Sequence, residues 1–215
     1  MNMRCAIIGA NGFLGKNLAF YLQEYYGIKA ACYDIQAESK HENYYRIDLT
    51  DKESIKNLCT DVDYIFMFAG MSGTHASFSA YEKFLYVNEL GLLNLLDVIK
   101  DLPNRPKIVF PSTRLVYKGS EKALNENSEK QCKTIYATNK LACEGYLSAY
   151  QSRYDIPFTI FRICVPYGKL LPSDYSYGTI GFMTTQAKEN QQIKLFGGGT
   201  KENIYSYKRL VSTSC

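Results

Sequence analysis

The stretch Gly9-Ala10-Asn11-Gly12-Phe13-Leu14-Gly15 decides the fold. It follows a short apolar run, Cys5-Ala6-Ile7-Ile8, and leads into residues 16–25, which have a helical pattern. A strand, a glycine-rich turn and a helix in this order form the geometry that binds the pyrophosphate of a dinucleotide. The first glycine permits the tight turn, the second lets backbone approach the phosphates, and the third lets the helix pack on the strand. The helix N-terminus adds N–H groups and the positive end of a dipole.

The composition is that of a globular protein with a substantial core. Its 215 residues are 46% hydrophobic and 21% charged, which suits one domain or slightly more. The net charge of +4 is small and dispersed, so nucleic acid is not an expected partner. No run approaches the ~18 apolar residues of a membrane span, so we expect no membrane partner.

Cysteine and histidine usage favours a cytoplasmic protein without a metal site. The seven cysteines form no Cys-x-x-Cys pair, and several lie in apolar runs, which predicts reduced, buried thiols. The two histidines, His41 and His75, are too few and too scattered to bind a metal. The apolar N-terminal run is also too short for a signal peptide.

Apolar strand-like runs alternate with helical patterns along the chain. This alternation predicts an α/β fold with a Rossmann-like, doubly wound parallel sheet. The predicted helix at 77–99 has a broad apolar stripe, wider than one sheet face needs. Part of this stripe is therefore expected to pack on another subunit. Predicted strands lie at 5–8, 29–33, 44–47, 62–68, 106–110, 157–163 and 192–196, and predicted helices at 16–25, 50–59, 77–99, 134–153 and 181–190.

Asp34 closes the second predicted strand. An acid at this place in a nucleotide-binding fold accepts hydrogen bonds from the adenosine ribose hydroxyls and repels a 2′-phosphate. Ile35 and Gln36 follow it and supply no arginine for such a phosphate. NAD is therefore favoured over NADP.

Tyr136 and Lys140 carry the candidate chemistry. Their spacing of four places a phenol and an ammonium one turn apart on the same helix face. A neighbouring cation favours the phenolate and lowers a tyrosine pKa, so the phenol can exchange protons with an alcohol or carbonyl. Thr113, at the end of the fifth strand, offers a hydroxyl for the same substrate oxygen. Taken alone, the pair is by default an ordinary pair on the surface of a helix. In order with the glycine turn, Asp34 and Ser112-Thr113 it indicates catalysis.

In these pieces the chain resembles the extended short-chain dehydrogenase/reductase family, the nucleotide-sugar epimerases and dehydratases. The resemblance covers roughly residues 4–199. Its matching pieces are Gly9-x-x-Gly12-x-x-Gly15, Asp34, Asp48-Leu49, Phe68-Ala69-Gly70, Asn88-x-x-Gly91, Ser112-Thr113, Tyr136-x-x-x-Lys140 and Arg162 through Tyr167-Gly168.

The resemblance implies an NAD-dependent epimerase or reductase acting on a nucleotide-activated sugar. Thr113, Tyr136 and Lys140 would form the catalytic triad, and helices 77–99 and 134–153 would form a homodimer contact. For Asn88 a plain helix-packing role is an equal alternative. The implied cofactor-binding residues are Gly9, Asn11, Gly12, Phe13, Leu14, Gly15, Asp34, Asp48, Leu49, Ala69, Gly70, Met71, Asn88, Tyr136 and Lys140.

The chain departs from the family pattern at two places, and the first of them reduces the number of possible reactions. Dehydratases of the family carry an acid pair after the catalytic hydroxyl residue, where this chain has Arg114 and Leu115. Neither side chain acts as an acid or base near neutral pH, so dehydration is disfavoured. Val165 stands where many relatives have an asparagine that contacts the nucleotide diphosphate.

The C-terminal region departs furthest. We expect an NAD-binding domain at 1–165 and a partial, truncated substrate-binding region at 166–215, since family members run on for about a hundred residues more. Residues 201–211 do not match the family's Arg-x-Phe-x-His/Tyr-Val-Asp-Asp-Leu segment, although a one-base slip in suitable codons yields Lys-Lys-Thr-Phe-Thr-His-Ile-Lys-Asp-Leu-Cys, which does. A frameshift near residue 200 is one hypothesis, and a short relative with a disordered tail is the other.

Two other functions remain open from the sequence. One is a catalytically silent NAD-binding or interaction module, because the substrate half is short. The other is a reductase of a non-sugar ketone. The sugar interpretation is preferred because of two segments, Ser72-Gly73-Thr74 and Pro166-Tyr167-Gly168. This preference rests on the family resemblance alone.

Overall fold

A computed structural model describes residues 3–168, 178–193 and 204–206. It contains a six-stranded sheet in the order β3-β2-β1-β4-β5-β6, with all neighbours parallel, and a small parallel pair, β7–β8. The predicted doubly wound sheet is confirmed. The strands are β1 (Cys5–Ile8), β2 (Ala31–Asp34), β3 (Tyr44–Arg46), β4 (Tyr64–Met67), β5 (Lys107–Thr113), β6 (Phe158–Ile163), β7 (Val165–Tyr167) and β8 (Ile204–Ser206).

The helices pack on both faces of the sheet, which explains why strands such as β4 are apolar without alternation. Ile7 and Phe66 lie in the core on one face with the first helix, whereas Ile8 and Ile65 lie in the core on the other. The helices are α1 (Phe13–Tyr26), α2 (Lys52–Ile55), α3 (Ala76–Ser79), α4 (Tyr81–Phe84), α5 (Gly91–Ile99), α6 (Ile135–Tyr154) and α7 (Gly178–Lys188).

The helix predicted at 77–99 is divided into several segments. Ala80 interrupts it with φ −130° and ψ 36° between α3 and α4. Leu85–Leu90 then form a π-helical segment that leads directly into α5, and the Gly91 N–H donates to the Tyr86 carbonyl five residues earlier. Such π turns are rare and frequently lie at functional sites.

Smaller differences from prediction concern helix ends. The second helix begins at Lys52, capped by the Asp51 carboxylate, which accepts from the Glu53 N–H, rather than by Thr50. The α6 helix is capped as its sequence suggests, because the Thr134 hydroxyl accepts from the Ala137 N–H at 3.1 Å. The strand predicted at 192–196 and the glycines at 197–199 lie mostly or wholly outside the described residues.

The carboxyl ends of the central strands meet at one edge of the sheet. Ile8 pairs with Tyr33 on one side and with Met67 on the other, so β1, β2 and β4 end in register. The strand order reverses between β1 and β4, and nucleotide-binding crevices form at such switch points. The β5 strand runs on to Thr113 at the same edge.

Candidate active site

The glycine-rich turn has a conformation that side chains would block. Gly9 has φ +89°, and its N–H and that of Ala10 donate to the Tyr33 carbonyl at 2.8 and 2.9 Å. A Cβ on Gly9 would lie 2.6 Å from the Phe68 carbonyl carbon, and one on Gly15 would lie 2.6 Å from the Ala10 Cα. Backbone closes these spaces, so both positions require glycine. The turn thus brings the start of α1 close to the end of β1, which is the arrangement expected of an anion-binding turn.

Asn11 joins the glycine-rich turn to the end of β2. Its N–H donates to the Asp34 carboxylate at 3.0 Å, and its side-chain amide donates to the Glu38 carbonyl at 3.1 Å. The Ser39 hydroxyl donates to the Asn11 Oδ1 at 2.6 Å. The amide thereby holds the loop after β2 against the turn, beside the acid assigned to the ribose.

Two residues were missed by the sequence reasoning, one at the glycine turn and one paired with Asp34. The His41 Nε2 lies 3.0 Å from the Ala10 carbonyl oxygen, at the glycine turn. Arg46 pairs in register with Asp34, and its Nε donates to the Ile35 carbonyl at 3.2 Å. The short motif after Asp34 contains no cation, but the pairing of β2 with β3 places an exposed guanidinium there.

Asp48 and Leu49 have well-defined local roles. The Asp48 carboxylate accepts from the Thr50 N–H and hydroxyl at 2.9 and 2.8 Å. Leu49 is buried, and its carbonyl accepts from the Asn94 amide at 2.9 Å. These bonds fix the segment after β3, but cofactor binding by Asp48 and Leu49 stays a prediction.

Asn88 holds the loop after β4. Its Oδ1 accepts from the Met71 N–H at 2.7 Å, and its Nδ2 donates to the Met71 carbonyl at 3.1 Å. A Cβ on Gly70 would lie 3.0 Å from the Asn88 Oδ1 and 3.8 Å from the Lys140 Nζ. The structure therefore brings together Gly70, Met71, Asn88 and Lys140. The Asn88 side chain thus binds the backbone of this loop. This is a third role beside the two considered from sequence, which were cofactor binding and helix packing.

Lys140 is buried, with 5% of its surface exposed. Its Nζ lies 4.4 Å from the centre of the Phe110 ring, an arrangement in which the ring face attracts the ammonium. Burial lowers the pKa of Lys140 to about 8. A buried ammonium beside a glycine loop suits an electron-rich ligand that compensates its charge.

The other two predicted catalytic residues lie at the same end of the sheet. Thr113 ends β5 and is buried, and its Oγ1 accepts from the Leu115 N–H at 3.2 Å. Tyr136 is half-buried in the first turn of α6, one turn before Lys140. This placement is compatible with the triad, whose joint action stays a prediction.

An ion pair between Arg162 and Glu144 lies next to the site. The Arg162 Nε and Nη2 donate to the two oxygens of Glu144 at 3.0 and 2.6 Å, and the Ser112 hydroxyl donates to the same carboxylate at 2.5 Å. The Arg162 Nη1 also donates to the Tyr117 hydroxyl at 2.7 Å. Bonds to the carboxylate and phenol raise the pKa of Arg162. The network fixes α6 against the ends of β5 and β6. Arg162 belongs to the residues that carry the family resemblance, whereas no sequence pattern pointed to its partner Glu144.

The described residues include no helix long and apolar enough to cross a membrane. Within the same residues, no group of three or more histidine, cysteine or acidic side chains is placed to hold a metal ion. Cys5, Cys32 and Cys143 are buried, as their apolar sequence surroundings predict.

The model of the NAD dependent epimerase/dehydratase family matches residues 5–207. The chain belongs to this family. The expected family resemblance is confirmed, and with it membership of a family of NAD-dependent enzymes.

Family relatives and solved structures agree with this assignment. A UDP-glucuronate 4-epimerase of Thermodesulfobacterium geofontis is 24% identical over 219 residues, covering 94% of this chain and 67% of the relative. The UDP-glucose 4-epimerase of Thermus thermophilus in complex with NAD superposes with a TM-score of 0.83 at 24% identity, covering 99% of this chain and 73% of that one. The UDP-glucuronic acid 4-epimerase of Bacillus cereus, in complex with UDP-glucuronic acid and NAD, gives 0.82 at 20%, covering 99% and 72%. The chain thus spans about 70% of the length of these proteins.

The residues of the family site fit NAD. Protein backbone packs closely against Gly9 and Gly15, which fits the tight turn and the close helix–strand packing of a dinucleotide-binding motif. The Asp34 carboxylate stands beside this turn, and the Lys140 ammonium lies at the Gly70 loop on the other side of β1. NAD as the cofactor is therefore consistent with both the family and the geometry.

Proposed function

We propose that the protein is an NAD-dependent epimerase or reductase-type oxidoreductase acting on a nucleotide-activated sugar through Thr113, Tyr136 and Lys140. The observation that carries the proposal is the buried Lys140 at the Gly70 loop, one helical turn after Tyr136. The names of the relatives, which include epimerases of UDP-sugars, support a nucleotide sugar as substrate.

In the proposed reaction Tyr136 takes the proton of a sugar hydroxyl. The Lys140 ammonium, one turn away, favours the phenolate that accepts this proton. The Thr113 oxygen accepts from the Leu115 N–H, which leaves its O–H hydrogen to donate to the substrate oxygen and orient it. NAD, when bound, would supply the hydride-transfer chemistry at the sugar carbon, as acceptor in the oxidation and as donor in the re-reduction. Tyr136 then gives its proton back to the sugar oxygen, which re-forms the hydroxyl.

Dehydration remains disfavoured in this proposal. β-Elimination needs an acid and a base beside the sugar, and Arg114 and Leu115 stand where dehydratases of the family carry them. Val165 lies in β7 and brings no amide to the diphosphate, so backbone or other side chains would bind it. We assign residues 1–165 to cofactor binding and 166–215 to part of the substrate site.

We also propose a homodimer through helices 77–99 and 134–153, located in the cytoplasm. The observation that supports the dimer is a set of apolar side chains in the first of these helices that are about half exposed. These side chains are Phe78, Tyr81, Leu85 and Tyr86. The observation that supports the cytoplasm is the burial of several thiols, which is typical of a reducing compartment.

The test combines ligand identification with one substitution. Mass spectrometry of molecules retained by the purified protein is expected to detect NAD and a sugar nucleotide. Tyr136→Phe should retain NAD and lose turnover by a factor of about 10² or more, because the acid–base group is removed. Tyr154→Phe, at the other end of α6, is the matched control and should leave turnover unchanged.

Two results would contradict the proposal. Turnover that survives in Tyr136→Phe would remove the tyrosine from the chemistry. NAD retained without turnover on any UDP-sugar would instead favour the alternative, a catalytically silent NAD-binding module.

A further inference from the structure

A buried carboxylate in the π-helical segment is bonded to the helix that carries Tyr136 and Lys140. Glu89 has 8% of its surface exposed. Its Oε1 accepts from the Asn139 Nδ2 at 2.5 Å, and its Oε2 accepts from the Tyr146 hydroxyl at 2.8 Å. Both donors belong to α6, two turns apart. One side chain of the π-helical segment therefore holds α6 at two levels.

The preceding residue in the π-helical segment faces the cofactor loop. Asn88 makes the two bonds to the Met71 backbone, and the Cys143 thiol of α6 donates to the Asn88 carbonyl at 3.3 Å. Adjacent residues of one π turn are thus both buried and bonded to different elements. The π-helical segment carries both side chains.

The burial of the Glu89 carboxylate and the Asn139 amide costs free energy that an apolar contact between the two helices would not cost. A buried carboxylate loses hydration, and an apolar side chain of similar size commonly serves stability as well or better. The Asn139 Oδ1 is, among the described residues, a buried side-chain oxygen without a hydrogen-bond partner. Unsatisfied buried polar atoms are rare in proteins. A function that depends on this particular geometry explains why the cost is retained.

We propose that Glu89 is a positioning residue for the cofactor site. Through Asn139 it sets the position of α6 next to Lys140, and through the shared π turn it sets the position of Asn88 and the Met71 loop. Glu89 acts on the site through these hydrogen bonds and does not contact the cofactor. The inference rests on the proposed function for the identity of the site.

Because the role depends on hydrogen bonds, a neutral replacement of the same shape should rescue it. In Glu89→Gln the amide oxygen accepts one of the two bonds, and the new NH₂ group faces the Asn139 or the Tyr146 oxygen. In Glu89→Ala both bonds are lost, and the Asn139 amide and the Tyr146 hydroxyl are left without this partner.

The experiment measures NAD affinity of the full chain by isothermal titration calorimetry, at a temperature where every variant is folded. Glu89→Ala should weaken binding about tenfold, and Glu89→Gln should stay within about threefold of the unmodified protein. Leu147→Ala is the control for general destabilisation, because Leu147 is a buried core residue of α6. It should lower the unfolding midpoint without a comparable loss of affinity.

A second readout needs neither NAD nor the alanine variant. Tyr146→Phe removes one bond to Glu89 and keeps the ring, and hydrogen exchange followed by mass spectrometry should show faster exchange in the peptide containing Met71. Unchanged affinity in Glu89→Ala, an equal loss in Leu147→Ala, or unchanged Met71 exchange in Tyr146→Phe would each overturn the role of Glu89. Failure of the unmodified chain to bind NAD would refute the proposed function, and the exchange experiment would still test Glu89.

Discussion

Replacing Lys140 by methionine is expected to stabilise the NAD-free protein at neutral pH and to remove its activity. Methionine keeps an unbranched apolar chain of similar length in the space that the lysine stem fills. It also removes an ammonium that is 5% exposed and whose pKa burial lowers from 10.5 to about 8. The substitution thus separates the stability of the fold from the needs of the site.

The structure sets the size and the pH dependence of this effect. A factor of ten in a protonation equilibrium is worth about 1.4 kcal/mol, so the burial of the Lys140 charge costs about 3 kcal/mol at pH 7. The Phe110 ring at 4.4 Å offsets about 1 kcal/mol of it, which leaves a gain of about 2 kcal/mol for the variant. Between pH 8 and 10.5 the unfolded chain keeps the proton that the folded protein has lost, so the unmodified protein gains stability as pH rises. The advantage of the variant therefore shrinks toward pH 10.

Urea unfolding of both proteins at several pH values from 7 to 10 measures the difference directly. Other groups titrate equally in the two proteins and cancel in that difference. Lys133→Met, which replaces an exposed lysine just before α6, is the matched control and should show no pH-dependent difference. A Lys140→Met protein less stable than the unmodified one at pH 7, or a difference that does not change with pH, would refute the reasoning.

Four other substitutions test other parts of the molecule. Arg162→Met leaves the Glu144 carboxylate buried without its cation and should cost about 3–5 kcal/mol in urea unfolding; a loss below about 1 kcal/mol would contradict the buried pair. Gly15→Ala should weaken NAD binding more than about tenfold in calorimetry, since its Cβ meets backbone, whereas Gly145→Ala, with open space around it in α6, should raise stability by about 0.5–1 kcal/mol. Tyr81→Glu should convert the proposed dimer to monomers in sedimentation velocity, and an unchanged oligomeric state would remove this face from the interface.

Sequence alone predicts the sheet because its signals are local. The apolar runs at β1 and β4 are buried on both faces, and the turn between β1 and α1 needs glycines that the chain displays in order. A strand, a helix and a second strand in succession also imply a parallel connection, whereas the order of the strands comes from the structure.

The interruptions of the long helix were not predictable in the same way. The apolar stripe continues through Phe84, Leu92 and Leu95 with helical spacing, and nothing in it marks a π turn. The turn is associated with bonds from Asn88 and Glu89 to elements far away in sequence. Periodicity reports which face is buried and does not report such tertiary bonds.

The same limit applies to the site. Asp34 was found because it stands at a fixed place after the glycine turn. The partners Glu144 and Arg162 are 18 residues apart and lie on different elements, and Arg46 reaches Asp34 only through strand pairing. A charged residue in a sequence does not name its partner; only the packing of α6 and the register of β3 do.

The π-helical segment makes the helix that contains it sensitive to its residue count. A π turn holds an additional residue relative to an α turn, and Gly91 bonds to Tyr86 across that wider loop. Deleting a residue within Leu85–Leu90 would restore α geometry and rotate the preceding turns by about 100° relative to α5. Phe78 and Tyr81 would then point in a new direction while the core side of α5 stayed in place. A change of length by one residue here would therefore change the exposed surface, and a variant lacking that residue would present different side chains at the proposed dimer contact.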